Sequence, residues 1–135
     1  MPLVLKCHKG LGPAVAGTAL VAQDNFSTRY DLDRIEGTFS RPGHKLHGQR
    51  YVGQVLVLVT AKGGVASAWM LREMVRSGIS PKALVFNTVN PILAQGAAFG
   101  EIPMLAGFDM DITRAIPNGA TVAVDPAAHT ITVVE

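Results

Sequence analysis

The chain of 135 residues has the length of one domain, 1–135, and is long enough to bury a real core. Its apolar fraction is 48%, its charged fraction only 16% and its net charge +2, so a nucleic-acid surface is excluded as the organising feature, and the sparse charge suits either a covered partner face or a compact monomer. The single cysteine, Cys7, excludes an internal disulfide and a cluster held by cysteines of this chain; the start Met1-Pro2-Leu3-Val4-Leu5-Lys6 lacks the layout of a signal peptide and no apolar run reaches a membrane span, so the cytoplasm is the expected compartment.

In chain order, Leu3 to Lys6 is predicted as a strand, Gly10 to Gly12 as a turn, and Val15 to Ala22 as a second strand with a bulge at Gly17. Phe26 to His47 has no sustained period and is rich in charge, with short strands expected around Arg34 to Thr38 and a turn at Pro42-Gly43. Such a polar stretch in an apolar chain is either a plain surface loop or a functional one. Val55 to Val59 is an unbroken β-branched and aliphatic run, the pattern of a strand covered on both faces. Gly63-Gly64 turns the backbone into a helix from Val65 to Ser77, which Gly78 stops. On that helix Trp69 is expected in the core, and Glu73 and Arg76 are spaced to pair. Ala83 to Phe86 is another apolar strand, ending in the amide-rich Asn87-Thr88-Val89-Asn90-Pro91, which either lines a strand-end ligand site or caps a helix over Pro91 to Ala98. Met104 to Ala106, Thr121 to Val124 and Thr130 to Val134 complete the strands, the last two as a hairpin. The pattern predicts an α/β fold of layered β/β/α type, with mixed strands and one main crossover helix between Gln54 and Phe86.

A helix that starts at a glycine turn after a buried strand gathers unpaired N–H groups at one point, where they attract carboxylate or phosphate. Lys62 adds a full positive charge beside Gly63, Gly64 and Val65. The bland alternative is an ordinary strand-to-helix turn without a ligand. Ser67, in the first helical turns, is the best placed hydroxyl for proton transfer, or else helix filler. The four histidines show no spacing that puts metal ligands on one helix face, and Asp31 with Asp33 lacks a third ligand, so no metal is expected on this chain. His44 and His47 sit in the polar stretch, either catalytic or simply exposed.

These residues resemble a family. His44-Lys45-Leu46-His47-Gly48-Gln49, the run Gln54 to Leu71, Gly78-Ile79-Ser80-Pro81-Lys82-Ala83, and Ile92-Leu93-Ala94-Gln95-Gly96-Ala97-Ala98-Phe99-Gly100-Glu101-Ile102-Pro103 follow, in order, the motifs of the small-subunit, swivelling-domain part of the aconitase X group. The resemblance implies a swivelling β/β/α domain that docks on a large subunit. That subunit would carry an iron–sulfur cluster and most substrate ligands. It implies dehydration of a small anionic hydroxy acid, such as cis-3-hydroxy-L-proline or phosphomevalonate, with a Lewis acid on the leaving hydroxyl and a base at the neighbouring carbon. In this chain the amides of Gly63, Gly64 and Val65 and the Lys62 ammonium would hold the substrate, Ser67 would serve as base, and Asn25, Ser27 and His44 would assist. The chain departs from the pattern where the family reads GRGS: it reads Ala61-Lys62-Gly63-Gly64, with Gly64 at the place of the catalytic serine. That departure leaves open a non-catalytic regulatory or scaffolding subunit. The glycine turn also resembles phosphohistidine swivelling domains, but Ala68 follows Ser67 where those carry the acceptor histidine.

Overall fold

The structure is a computed structural model and describes residues 3–27, 31–62, 65–89 and 102–134. The expected helix over Pro91 to Ala98 lies outside them. The strands are β1 (Leu3–Leu11), β2 (Val15–Val21), β3 (Phe26–Ser27), β4 (Leu32–Asp33), β5 (Thr38–Phe39), β6 (Val55–Lys62), β7 (Ala83–Thr88), β8 (Met104–Phe108), β9 (Thr121–Asp125) and β10 (Thr130–Val133); the helices among the described residues are α1 (Val65–Arg76) and α2 (Ile112–Ala115).

Hydrogen bonding runs β2-β9-β10-β1-β8-β7-β6, and β6 pairs again with β2, so these seven strands close a barrel. Closure removes the exposed edges that an open sheet must protect. The strands β6, β7 and β8 run parallel, and α1 makes the crossover from β6 to β7. Among the described residues helix is otherwise scarce. They form a β-rich barrel, so the α/β class expected from the strand–helix–strand run overstated the share of helix there.

Alternation along β6 explains its unbroken apolar run. Val55 and Val57 enter one cluster with Leu5, Ala19, Val85, Leu105, Val122 and Ile131, drawn from all seven barrel strands. That cluster is the barrel interior. Leu56 and Leu58 face the other way, into a second cluster with Phe26, Phe39, Tyr51, Leu71, Met74 and Phe86. It lies between the barrel wall, α1 and the polar stretch. All four β6 residues from Val55 to Leu58 are fully buried, so no polar side chain is tolerated on either face.

Two expectations are corrected. Trp69 is 56% exposed rather than in the core. Two residues along a helix turn it by about 200°, and Leu71, which is buried together with Met74, therefore leaves Trp69 to solvent. The Arg72 guanidinium lies 5.4 Å from the Trp69 ring centroid. Gly17 makes no bulge, since the register from Val15↔Val124 to Thr18↔Thr121 is unbroken. A side chain there would press instead on Lys82 and Val55. Helix α1 ends as expected: Gly78 takes φ +74°, and its N–H and that of Ile79 donate to the Val75 and Met74 carbonyls. Glu73 and Arg76 pair at 3.4 Å.

Candidate active site

The parallel strands β6, β7 and β8 end at one rim of the barrel. β3 brings a second segment to the same place. It pairs parallel to the last residues of β6, with Phe26 opposite Ala61 and Ser27 opposite Lys62. The backbone approaches by hydrogen bonds from Ala22 N–H to the Val57 carbonyl and from Val59 N–H to the Asp24 carbonyl. Asn25, Ser27 and Lys62, distant in sequence, thus share one end of β6.

The polar stretch is what holds β3 there. His44 is buried in it, 4.7 Å centroid to centroid from the stacked Phe39 ring. Leu46 N–H donates to its Nδ1 at 3.0 Å, so the ring carries its proton on Nε2, which donates to the Asn25 carbonyl at 2.7 Å. Both ring nitrogens are used within the chain, and His44 meets β3 through the backbone of Asn25. Asp31, with a side chain only 5% exposed, accepts from Arg41 Nε at 2.5 Å and from Ser27 N–H at 2.8 Å. Asp24 accepts from the N–H groups of Asn25 and Lys45. Burial pushes the Asp24 carboxyl up, but those two N–H groups and the Arg41 guanidinium outweigh it and hold it below the usual carboxylate value. Asp31 and Asp33 do not share a site: Asp33 Oδ1 accepts from the Ile35 and Glu36 N–H groups in a turn of its own.

Of the residues singled out in the sequence, Gly63 and Gly64 lie outside the described residues. Lys62 closes β6, Val65 opens α1, and Ser67 stands in the first helical turn. That turn contains no acidic residue, so nothing in its own sequence competes for an anion at the unpaired N–H groups. Asn87 is committed elsewhere, its Oδ1 accepting from Ile112 N–H and its Nδ2 donating to Asp111, and so it caps α2. The Asp31–Arg41 pair and Asp24 were invisible as a unit in the sequence, because a turn and three separate strands bring them together. Among the described residues no group of three or more His, Cys, Asp or Glu could hold a metal ion, and no helix is long and apolar enough to cross a membrane.

Comparison with known proteins agrees with the barrel fold. Residues 4–133 match the family model of the aconitase X swivel domain. The chain is 32% identical over 127 residues, 94% of its length and 96% of the relative's, to the phosphomevalonate dehydratase small subunit of Methanocella arvoryzae. It is 30% identical over 75% of its length and 74% of the relative's to the protein of that name in Methanothrix thermoacetophila. The crystal structure of Thermococcus kodakaraensis aconitase X in its holo-form is similar with a TM-score of 0.90 and 25% identity, covering 98% of this chain and 99% of that one.

Proposed function

Since the chain belongs to the aconitase X swivel-domain family, we propose that it is the small subunit of a hydro-lyase that dehydrates a small anionic hydroxy acid, in complex with a large subunit in the cytoplasm. Phosphomevalonate, named in the relatives, is the first substrate to test; cis-3-hydroxy-L-proline is the second. The observation that carries the reading is the meeting of β3 with the end of β6, Ser27 opposite Lys62, within a barrel of that family.

In this reading the amides of Gly63, Gly64 and Val65 and the Lys62 ammonium grip an acidic group of the substrate. Ser67 takes the proton from carbon as its own hydroxyl proton passes to the neighbouring hydroxyl, which departs as water. Asn25 and Ser27 close the site from β3. The family implies an iron–sulfur cluster in the large subunit. Cys7 does not suit such a role: it is buried, burial pushes its thiol up, and the thiol donates to the Lys9 carbonyl at 3.1 Å.

The test is reconstitution. This chain alone should release no dehydrated product, and co-expression with its large subunit should give turnover of phosphomevalonate. Robust turnover by this chain alone would refute the assignment. In the complex, Lys62→Ala should raise KM about tenfold, the loss of one charge-assisted contact. Gly64 at the family's serine position favours a second reading, a subunit that carries no base. Ser67→Ala separates the two, because only a catalytic Ser67 makes kcat fall.

A further inference from the structure

His44 has no route to a substrate. Its side chain is fully enclosed, 0% exposed. Its Nδ1 lone pair takes the Leu46 N–H and its Nε2 proton goes to the Asn25 carbonyl, so neither ring nitrogen is left to move a proton. A carboxylate oxygen of Asp24 and one of Asp31 each lie 3.8 Å from Nε2, and their negative charge favours the proton on that nitrogen.

What the ring holds is the segment that runs beside the end of β6. Three side chains fasten the backbone of that segment: Asp24 accepts from the Asn25 N–H at 2.8 Å, His44 donates to the Asn25 carbonyl at 2.7 Å, and Asp31 accepts from the Ser27 N–H at 2.8 Å. Phe26, between Asn25 and Ser27, is fully buried, its ring centroid 5.8 Å from that of Phe86. Alternation through β3 therefore turns Asn25 and Ser27 away from that core, and both are half-buried. The Asn25 carboxamide makes no hydrogen bond among the described residues. An amide that keeps its donors and its acceptor, on a backbone fixed at both its N–H and its carbonyl, is prepared to meet a polar group of a ligand.

We propose that His44 is a positioning residue of the dehydratase, acting through the Asn25 carbonyl to hold the Asn25 carboxamide in place for the substrate. This rests on the dehydratase reading above and adds to it a residue that never touches substrate or passes a proton. A contact from Asn25 is made to the bound substrate and to the transition state alike. Loosening it weakens binding without slowing the chemistry, so KM rises and kcat stays.

The test is a double-mutant cycle in the reconstituted complex with phosphomevalonate as substrate. His44→Phe keeps a ring against Phe39 and removes the bond to Asn25; it should raise KM about tenfold, with kcat within about threefold and the pH profile of kcat unchanged. His44→Gln, whose amide N–H replaces Nε2–H, should restore KM to within about threefold of native. Asn25→Ala should also raise KM about tenfold, and the double variant His44→Phe with Asn25→Ala should raise it no further, because both changes remove one contact. Asp33→Ala, which removes a turn cap of the polar stretch away from β3, should leave KM unchanged and so separates this effect from general loosening. A native KM in His44→Phe, a hundredfold rise in the double variant, or a loss of kcat or of one limb of the pH profile in His44→Gln would each overturn the role of His44 while leaving the dehydratase assignment standing. Independently of any variant's folding, ring ¹⁵N shifts of the native full-length chain should report the Nε2–H tautomer; the Nδ1–H tautomer overturns the proposal. A native complex that turns over neither phosphomevalonate nor cis-3-hydroxy-L-proline overturns the dehydratase reading beneath it.

Discussion

His44 and Asn25 are joined across 19 residues of sequence by a partly buried hydrogen bond, Nε2–H to carbonyl at 2.7 Å. With Leu46 N–H donating to Nδ1 and Phe39 stacked on the ring, His44 is a bolt between the polar stretch and β3. His44→Ala should leave a cavity, a buried N–H and a partly buried carbonyl without partners, costing about 2–4 kcal/mol of stability. Urea unfolding of the variant would read this as a lower midpoint at unchanged slope. A cost below about 0.5 kcal/mol, the scale of an ordinary surface substitution, would show that the ring bolts nothing.

Asp31 and Arg41 form the second fastening. The Asp31 side chain is 5% exposed and that of Arg41 is 40% exposed, so solvent screens one half of the pair and the coupling should be modest, about 1–2 kcal/mol in a double-mutant cycle. Asp31→Ala should cost more than Arg41→Ala, because it also strands the Ser27 N–H, whose bond to Asp31 Oδ2 is 2.8 Å. Equal single-variant costs and no coupling would mean that the pair does not hold β3.

What the sequence made legible follows its periodicities. The unbroken apolar run in β6, the glycine-stopped α1 and the β9–β10 hairpin carry local signals, and each was placed within a few residues. Barrel closure was not legible. The β2–β6 pairing joins Ala19 to Val55 across a segment with no period of its own. Trp69 was misplaced because its stripe was read by residue type, whereas Leu71 and Met74 set the buried face. The His44 bolt escaped notice because its partners are backbone groups, and the carbonyl of Asn25 has no signature in a sequence.

Acid should weaken the fold through Asp111 and Asp24. The Thr113 hydroxyl and the Asn87 amide, with the Thr113 N–H, hold the Asp111 carboxyl below its ordinary value of 3.8 despite some burial. Asp24 is also lowered. Since the folded values lie below the unfolded ones, both groups stabilise the fold fully above the ordinary carboxylate value. That contribution is lost as pH falls through 3.8 toward the folded values. Urea midpoints should therefore be level from pH 7 down to about 5 and then fall. Asp111→Asn should flatten that fall, since the amide keeps an acceptor oxygen at the α2 cap without the titrating charge; an unchanged acid slope would remove Asp111 from the account.

The two faces of α1 should respond oppositely to truncation. Leu71 is fully buried against the barrel wall, and Leu71→Ala should cost about 2–5 kcal/mol through lost burial and a residual cavity. Trp69 is the larger residue, yet it is 56% exposed and its recorded ring contact is with the Arg72 guanidinium. An exposed cation–π contact is worth about 0.5–1 kcal/mol, so Trp69→Ala should cost about 1 kcal/mol or less. Because Trp69 is the sole tryptophan, native fluorescence should report a solvent-facing indole, with emission shifting little on unfolding in urea. Emission of a buried indole from the isolated chain, or a Trp69→Ala cost matching that of Leu71→Ala, would reverse the assignment of the two faces.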